Sequence, residues 1–322
     1  MTDHGKLLKW YQENKRDLPW RRSKDPYRIW ISEVMLQQTT VAAVIPFYDR
    51  FLKKFPSVKA LAKASEPEVL EAWAGLGYYS RARNLHKAAK LIAQKGFPRT
   101  AAALLELPGF GPYTSRAVAS IAHGENVGVL DGNVIRVLSR MYGKKTEWWN
   151  TKARDELQKM SDEFAKIGSA DEINQGLMEL GATICTPQKV NCLLCPWNAT
   201  CIARENNWIE ILPLKRPRRE SEVWVWQPEV RIKDNKVALV QNNYAPFLKG
   251  QWIFPGKVLT SKDKPKKFDV KHFITHHDIF IQLKKGSDFS NAFSGIKWVE
   301  LKNLKKVNPS SLLTKILQKV DH

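Results

Sequence analysis

Apolar residues recur at helical spacing through the longer N-terminal part of the chain. The runs VAAVIPFYDRFLKKF (residues 41–55) and AAALLEL (residues 101–107) place apolar side chains three and four positions apart, which predicts amphipathic helices. Proline and glycine interrupt the pattern repeatedly, so we expect many short helices. These interruptions fall at Pro56, Pro67, Gly75, Gly77, Pro98 and Pro108.

The pattern changes after residue 213. The segment LPLKRPRRE (residues 212–220) is basic and broken by proline, which predicts a linker over residues 214–220. Beyond it, apolar and polar residues alternate, as strands require, and LLTKILQKV (residues 312–320) predicts a helix. A chain of 322 residues exceeds the usual size of a single core. We therefore expect an all-α domain over residues 1–213 and a smaller α+β domain over residues 221–322. The predicted strands lie in VWVWQPEVRI, KVALVQ, HFITHHDIFIQL and IKWVEL.

Charge indicates the class of partner. The chain has 52 Lys and Arg against 32 Asp and Glu, a net charge of +20, and both predicted domains are basic. Such a balance favours nucleic acid or an anionic membrane surface. The sequence has no run of 18 apolar residues and its N-terminus does not resemble a signal peptide, so we expect a soluble protein without a membrane partner. We also expect a monomer. The expected location is the bacterial cytoplasm, with the nucleoid, or a eukaryotic nucleus.

All four cysteines of the chain lie in one short segment, ICTPQKVNCLLCPWNATC. Thiolates gathered this closely are typical of a soft metal centre. Structural zinc is one alternative, but zinc sites usually present two separated C-x2-C knuckles and this segment has one. Disulfides, the other alternative, would only staple a local loop. The segment favours a [4Fe–4S] cluster bound by Cys185, Cys192, Cys195 and Cys201.

A proline–glycine turn precedes an apolar helix in LPGFGPYTSRAVAS (residues 107–120). Gly109 and Gly111 let the backbone approach another surface closely, and the helix that follows directs free N–H groups outward, where a phosphate can bind. This is the helix-hairpin-helix pattern of proteins that bind DNA without reading its sequence. An ordinary turn between two packed helices is the alternative.

Two carboxylates are candidates for chemistry. Asp131 stands before the apolar helix of VLDGNVIRVLSR, where its simplest role is an N-cap. Glu33 lies in an apolar helical segment, IWISEVML, where its simplest role is a solvated side chain on the polar face. If Glu33 is instead buried, its pKa rises and it can act as a general acid near neutral pH.

These motifs together resemble a known family. The cysteine spacing resembles the cluster loop of the endonuclease III superfamily of DNA glycosylases, and three segments are similar to MutY-type adenine DNA glycosylases. The resemblance covers residues 5–213, and the three segments are LPWRRSKDPYRIWISEVMLQQTT, AWAGLGYYSRARNLHKAAK and LDGNVIRVL.

The resemblance implies roles at the reacting bond. Glu33 would be the general acid, Asp131 the carboxylate that stabilises the sugar cation, and Asn133 its polar support. Tyr113 stands where the bifunctional enzymes of the superfamily carry a lysine nucleophile. Because a tyrosine cannot form a Schiff base, the resemblance implies base removal without strand cleavage.

The resemblance also implies how DNA is held. A base inside a duplex must be flipped out before it can react, and side chains fill the gap that it leaves. Gln38 and Tyr78 match the wedge residues of the family, with Leu36 and Thr39 beside Gln38. Trp20, Arg21 and Gln175 match positions that line the base pocket.

Residues 221–322 resemble the MutT-like module with which the family reads 8-oxoguanine. GQWIFPGKV and HFITH match its segments, with Thr275 and His276 as the candidate contacts and Ile274 in place of the usual phenylalanine. No glutamate occurs between Gly256 and Val299, so the glutamate-rich magnesium helix of a hydrolase is missing and the module should bind rather than hydrolyse. A purely structural role for these histidines is the alternative.

The predicted function is that of a monofunctional glycosylase acting on double-stranded DNA that contains adenine opposite 8-oxoguanine or guanine. Two alternatives remain open, one from another class of function and one within the enzymes. One is a non-catalytic protein that only marks lesions, which the presence of both Glu33 and Asp131 opposes. The other is a glycosylase for another mispair, such as thymine opposite guanine, which Glu33 opposes because a pyrimidine has no N7 to protonate.

Overall fold

The structure, a computed structural model, describes residues 3–217, 222–274, 277–283, 295–308 and 310–320. The chain divides into two compact units, residues 1–216 and 217–322. In the described residues the first unit is helical and the second is built mainly of strands, which confirms the predicted fold classes. None of the described helices is both long and apolar enough to cross a membrane.

The first unit is a set of mostly short helices, as the frequent breakers predicted. Two 3-10 turns accompany them, Pro19–Arg21 and Cys192–Leu194. The α-helices are α1 (Asp3–Asn14), α2 (Pro26–Leu36), α3 (Val41–Lys54), α4 (Val58–Lys63), α5 (Glu66–Ala72), α6 (Tyr79–Lys95), α7 (Ala101–Leu105), α8 (Pro112–His123), α9 (Gly132–Met141), α10 (Thr151–Lys166), α11 (Ala170–Thr183) and α12 (Ile202–Glu205).

Local sequence explains where several helices begin. The Asp25 side chain accepts a hydrogen bond from the Tyr27 N–H at the start of α2. Ser65 and Glu68 form a reciprocal capping box at the start of α5. Pro67, expected to interrupt a helix, lies instead in the first turn of α5, where its missing N–H has no intrahelical partner to lose.

The packing of α2, α8, α9 and α11 positions the site. α2 packs against α8, and α11 packs against α1, α8 and α9. Large side chains are fully buried in this core, among them Trp30, Trp73 and Trp197. Trp30 stacks on Phe110 of the turn before α8, with ring centroids 5.1 Å apart. These contacts set the relative positions of helices that carry functional side chains from distant parts of the sequence.

The described residues of the second unit form two four-stranded sheets. In one, β5 (Gly256–Ser261) and β7 (His277–Ile281) flank β1 (Val223–Pro228), antiparallel and parallel to it respectively, and β6 (Val270–Ile274) pairs with β7 in antiparallel fashion. In the other, β3 pairs with β2, β4 and β8, all antiparallel. The elements are β1 (Val223–Pro228), β2 (Ile232–Lys233), β3 (Lys236–Gln241), β4 (Trp252–Ile253), β5 (Gly256–Ser261), β6 (Val270–Ile274), β7 (His277–Ile281), β8 (Lys297–Glu300), α13 (Leu304–Val307) and α14 (Ser311–Val320).

The predicted strands and the last helix of this unit are confirmed. HFITHHDIFIQL contributes to two antiparallel strands, β6 and β7, in which Ile274 pairs with His277. The amphipathic α14 buries Leu312, Leu313 and Ile316 in the same core as Trp226. Strands β4 and β5 were not among the predicted elements.

Candidate active site

A cavity of about 500 Å³ opens among the helices of the first unit. Its walls come from the turn before α2, from α2 and the loop that follows it, and from α8, α9 and α11. It gathers most of the side chains that the sequence pointed to. These are Trp20, Arg21, Glu33, Leu36, Gln38, Thr39, Tyr113, Asp131, Asn133 and Gln175.

Glu33 is buried, which overrules its reading as a solvated residue on a polar face. Glu33 is only 5% exposed, although it lines the cavity. The Tyr113 hydroxyl donates a hydrogen bond of 2.5 Å to Glu33 Oε2. Burial raises the pKa of Glu33 to about 7; the Tyr113 hydrogen bond opposes that rise and the nearby Asp131 charge adds to it. A carboxyl group with this pKa can hold a proton near neutral pH and give it up.

Asp131 is both an N-cap and a cavity residue, so its two readings are compatible. One carboxylate oxygen, Oδ1, accepts the Val134 N–H at 2.8 Å and caps α9. The other, Oδ2, accepts the Asn133 amide N–H at 2.8 Å. Burial raises the pKa of Asp131, and these donors and the nearby Arg136 charge counteract that rise because they favour the ionised form.

Asn133 is fixed in turn by Arg136 of the next helical turn. Arg136 Nη2 donates to Asn133 Oδ1 at 2.8 Å, and Arg136 Nε donates to the Cys185 carbonyl at 2.6 Å. The orientation of the Asn133 amide, with nitrogen toward Asp131, follows from this pairing. The polar support predicted for Asp131 is therefore present as a chain of hydrogen bonds.

A buried carboxylate that sequence reasoning missed also lines the cavity. Glu179 accepts hydrogen bonds from Arg16 Nε at 2.6 Å and Arg21 Nη2 at 2.8 Å. Burial alone would raise its pKa, but the two guanidinium groups lower the pKa of Glu179 to about 2, so it stays ionised. Glu179 follows Gln175 by one helical turn, and this shared helix face could have revealed it. The network holds Arg21 against the cavity wall.

The two predicted wedge residues share a backbone feature. Gln38 has φ of 58° and Tyr78 has φ of 48°, values that residues other than glycine adopt rarely. Tyr78 lies outside the cavity lining, before α6, and its side chain is 52% exposed. Leu36 and Thr39 lie beside Gln38 at the cavity.

The two glycines of the turn before α8 differ in what the fold requires of them. Gly109 has φ of 82°, and a Cβ there would lie 2.8 Å from the Asn84 Cβ. Gly111 caps α8 with φ of −92°, and a Cβ there would meet nothing within 4 Å. Within this protein, close approach of another residue therefore requires glycine at Gly109 and not at Gly111. Neither lines the cavity.

Comparison with known proteins agrees with this geometry. Residues 31–163 match the HhH-GPD superfamily of base excision DNA repair proteins. The chain is 33% identical to the adenine DNA glycosylase of Buchnera aphidicola subsp. Schizaphis graminum over 97% of this chain and 96% of that protein. The chain belongs to the adenine DNA glycosylase family. As a member, it is a base excision repair enzyme that acts on DNA.

Other proteins similar to this adenine DNA glycosylase family member match only part of this chain. The human adenine DNA glycosylase is 45% identical over 62% of this chain and 39% of that protein. A thermostable thymine-DNA glycosylase is 31% identical, with a TM-score of 0.58 over 63% of this chain and 95% of that one. A non-covalent endonuclease III–DNA complex, 22% identical with a TM-score of 0.53, shares the fold.

The four cysteines of this glycosylase are free thiols, which excludes disulfides among them in this structure. Cys185 is buried and the others are partly buried. Burial raises the pKa of Cys195 to about 12; a backbone hydrogen bond at Trp197 opposes that rise and the other three thiols add to it. Arg140 Nη1 donates a hydrogen bond to Cys185 Sγ at 3.3 Å.

This donor set fits an iron–sulfur cluster. Among the described residues, no three His, Cys, Asp or Glu side chains are grouped to hold one metal ion. A four-iron cluster binds one thiolate on each of its irons, and the four cysteines of this segment supply that number of donors.

Thr275 and His276, the predicted lesion contacts, lie outside the described residues. Their neighbours on β6 are described. Ile274 packs against the core of the second unit, while Phe273 is 61% exposed. Ile274, which stands in place of an aromatic residue, therefore serves packing.

Proposed function

We propose that this enzyme is a monofunctional glycosylase that flips out and removes adenine mispaired with 8-oxoguanine or guanine. The observation that carries the proposal is the pairing of Glu33 and Asp131 in one cavity with unequal surroundings. Glu33 has an apolar setting and one hydrogen-bond donor, whereas Asp131 has donors on both oxygens. Two carboxylates in different environments divide naturally into an acid and an anion.

Glu33 supplies the proton. Removal of adenine breaks the bond between N9 and the sugar, and the bonding electron pair leaves with the base. Protonation of adenine N7 makes the base a neutral leaving group, and a carboxyl with a pKa near 7 is suited to that transfer. Because the Tyr113 hydroxyl occupies Oε2, the proton to be transferred resides on Oε1.

Asp131 stabilises the cation that remains on the sugar. Its donors, the Asn133 amide and the Val134 N–H, favour the ionised carboxylate. A fixed negative charge beside the oxocarbenium-like carbon lowers the barrier, and Asp131 can capture the cation before water adds to C1′ and loses a proton.

Two features support base removal without strand cleavage. Tyr113 occupies the position expected for a lysine nucleophile and is hydrogen-bonded to the acid. Of the described residues that line the cavity, none is a lysine. Without an amine at the reacting carbon, no Schiff base forms, and the product is an abasic site in an intact strand.

Roles for the other predicted site residues complete the proposal. Gln38 and Tyr78 fill the stack after adenine leaves it, with support from Leu36 and Thr39. Thr275 and His276 of the second unit read the oxidised edge of 8-oxoguanine, and that unit binds the lesion rather than hydrolysing nucleotides. The hairpin glycines contact the DNA backbone, and a [4Fe–4S] cluster on the four cysteines cross-links their loop.

The test uses the full protein and duplexes with adenine opposite 8-oxoguanine, adenine opposite guanine, and thymine opposite guanine. Alkali reveals abasic sites, and samples without alkali reveal strand cleavage. In both duplexes with an adenine mispair, we expect the adenine-containing strand to be cleaved only after alkali treatment. Glu33→Gln and Asp131→Asn should each lower the excision rate by several orders of magnitude.

Each other outcome refutes a defined part of the proposal. Excision of thymine without adenine would indicate a different specificity, and binding without excision would indicate a lesion-marking protein. Strand cleavage without alkali would show that another amine acts as nucleophile. A variant rate above about a tenth of wild type, a loss of only ~1.4 kcal/mol, would remove the role assigned to that residue.

A further inference from the structure

The loops that carry Gln38 and Tyr78 hold both residues in left-handed backbone conformations, with φ of 58° and 48°. Such a backbone conformation is energetically unfavourable for residues other than glycine and persists only where the surroundings determine it strongly. The two loops belong to different parts of the chain, one between α2 and α3 and the other before α6. Something must therefore hold both loops against relaxation.

The guanidinium group of Arg81 contacts both loops. Its Nη1 donates to the carbonyls of Val34 at 2.8 Å and Gln37 at 2.5 Å, at the end of α2 and in the loop beyond it. Its Nη2 donates to the carbonyls of Leu76 at 3.2 Å and Gly77 at 3.5 Å, in the turn before Tyr78. One rigid, planar group thus sets the distance between the two loops.

Aromatic rings hold Arg81 itself in place. Its guanidinium carbon lies 5.3 Å from the Tyr78 ring centroid and 5.5 Å from that of Trp73. Trp73 is fully buried, and its indole N–H donates to the Gly77 carbonyl at 3.1 Å. No ion pair of the described chain includes Arg81, so carbonyl dipoles and ring faces, rather than a carboxylate, surround its charge.

The same loop is also connected to α8, the helix that carries the hydrogen-bond partner of the acid. Gln37 Nε2 donates to Thr114 Oγ1 at 3.1 Å. Thr114 follows Tyr113, the residue that hydrogen-bonds Glu33. A shift of the loop after α2 would therefore act on the wedge and on the surroundings of the acid together.

We infer that Arg81 is a positioning residue that holds the Gln38 and Tyr78 loops in the arrangement that fills the DNA stack when adenine is flipped. The inference rests on the wedge roles proposed for those two residues. Arg81 is not among the residues that line the cavity of Glu33 and Asp131, so we place its action before the chemical step, on the cost of flipping.

The test compares two substrates within each variant. One is a duplex with adenine opposite guanine, and the other has adenine opposite an abasic-site analogue, where no partner base opposes flipping. For Arg81→Gln we expect the rate on the first substrate relative to the second to fall by about tenfold or more, since small displacements of positioning groups cost up to about 10² in rate. Arg81→Lys keeps the charge but not the planar fork, so its loss should be intermediate.

Arg83 offers a matched control. It lies on the same helix, two residues away, and pairs with Glu66 at 3.1 Å. Arg83→Gln should leave the ratio of the two rates unchanged. Single-turnover rates at saturating enzyme do not depend on the folded fraction, and thermal melts of each variant record its stability, so partial unfolding cannot imitate the effect.

Tyr78→Ala and Gln38→Ala separate the two levels of the argument. If neither changes the ratio, the wedge roles fail and this inference fails with them. If they lower the ratio while Arg81→Gln behaves like Arg83→Gln, the wedge stands and the positioning role alone is overturned. An equal loss of excision rate on both substrates, together with a DNA affinity whose salt dependence corresponds to about one fewer released ion, would assign Arg81 to a DNA phosphate. That result would likewise overturn the positioning role.

Discussion

Replacement of Tyr113 by phenylalanine should raise the pH up to which this enzyme works. The substitution removes only the hydroxyl that donates to Glu33 Oε2 at 2.5 Å. That hydrogen bond favours the ionised carboxylate, and it opposes the rise that burial imposes on the pKa of Glu33. Without it, the carboxyl should stay protonated to a higher pH.

The expected magnitude follows from the energy of the bond. A hydrogen bond to a charged group contributes about 1.5–3 kcal/mol, and 1.36 kcal/mol corresponds to one pH unit. In the wild type, with the pKa of Glu33 at about 7, the rate should fall as pH rises through that value. In Tyr113→Phe the fall should begin roughly one to two pH units higher.

The assay is adenine excision at sub-saturating enzyme over a pH series, because that second-order rate constant reports the ionisation of the free enzyme. Tyr142→Phe is the control, since this partly buried tyrosine lies outside the cavity and packs against Phe164. If the rate of Tyr113→Phe begins to fall at the same pH as that of the wild type, or at a lower pH, the hydroxyl does not act on the ionised acid.

Three other expectations concern stability, the cluster and lesion choice. The pKa of Glu33 is higher in the folded protein than its ordinary 4.5, so its contribution to stability is present at low pH and is lost as pH rises to about 7. Relative to wild type, Glu33→Gln should therefore gain up to ~3 kcal/mol in the free energy of unfolding between pH 4 and pH 8, measured with urea; an equal difference at both pH values would contradict the buried acid. The purified protein should be yellow-brown, and Cys192→Ser should lose that colour together with thermal stability and DNA binding, whereas a colourless, zinc-containing and fully active protein would rule out the cluster. Thr275→Ala combined with His276→Ala should narrow the difference in rate between 8-oxoguanine and guanine mispairs while duplex binding persists; an unchanged preference would place recognition elsewhere.

Some properties of this protein are local, and the sequence determined them by itself. The helices and the alternating strands follow from apolar spacing within a few residues, and the spacing of the four cysteines indicates a soft metal centre. The left-handed backbone of Gly109 in the turn before α8 is equally local, whereas its missing Cβ is required by a tertiary contact with Asn84 of α6. A departure from the predicted helix breaks was also local. Pro67 was expected to interrupt a helix, but it lies in the first turn of α5, where a residue has no intrahelical N–H bond to lose.

Only the tertiary structure decided how the acid is tuned. From the sequence, Glu33 could be a solvated residue. In the structure it is buried, and its hydrogen-bond donor, the Tyr113 hydroxyl, comes from 80 residues away in the sequence. Glu179 was not identified from the sequence because its partner Arg16 lies 163 residues away. Arg81 was not identified because its contacts are with backbone carbonyls, which leave no pattern of side chains in the sequence. Desolvation and hydrogen bonding depend on which groups surround an atom in space, and spacing along the chain does not contain that information.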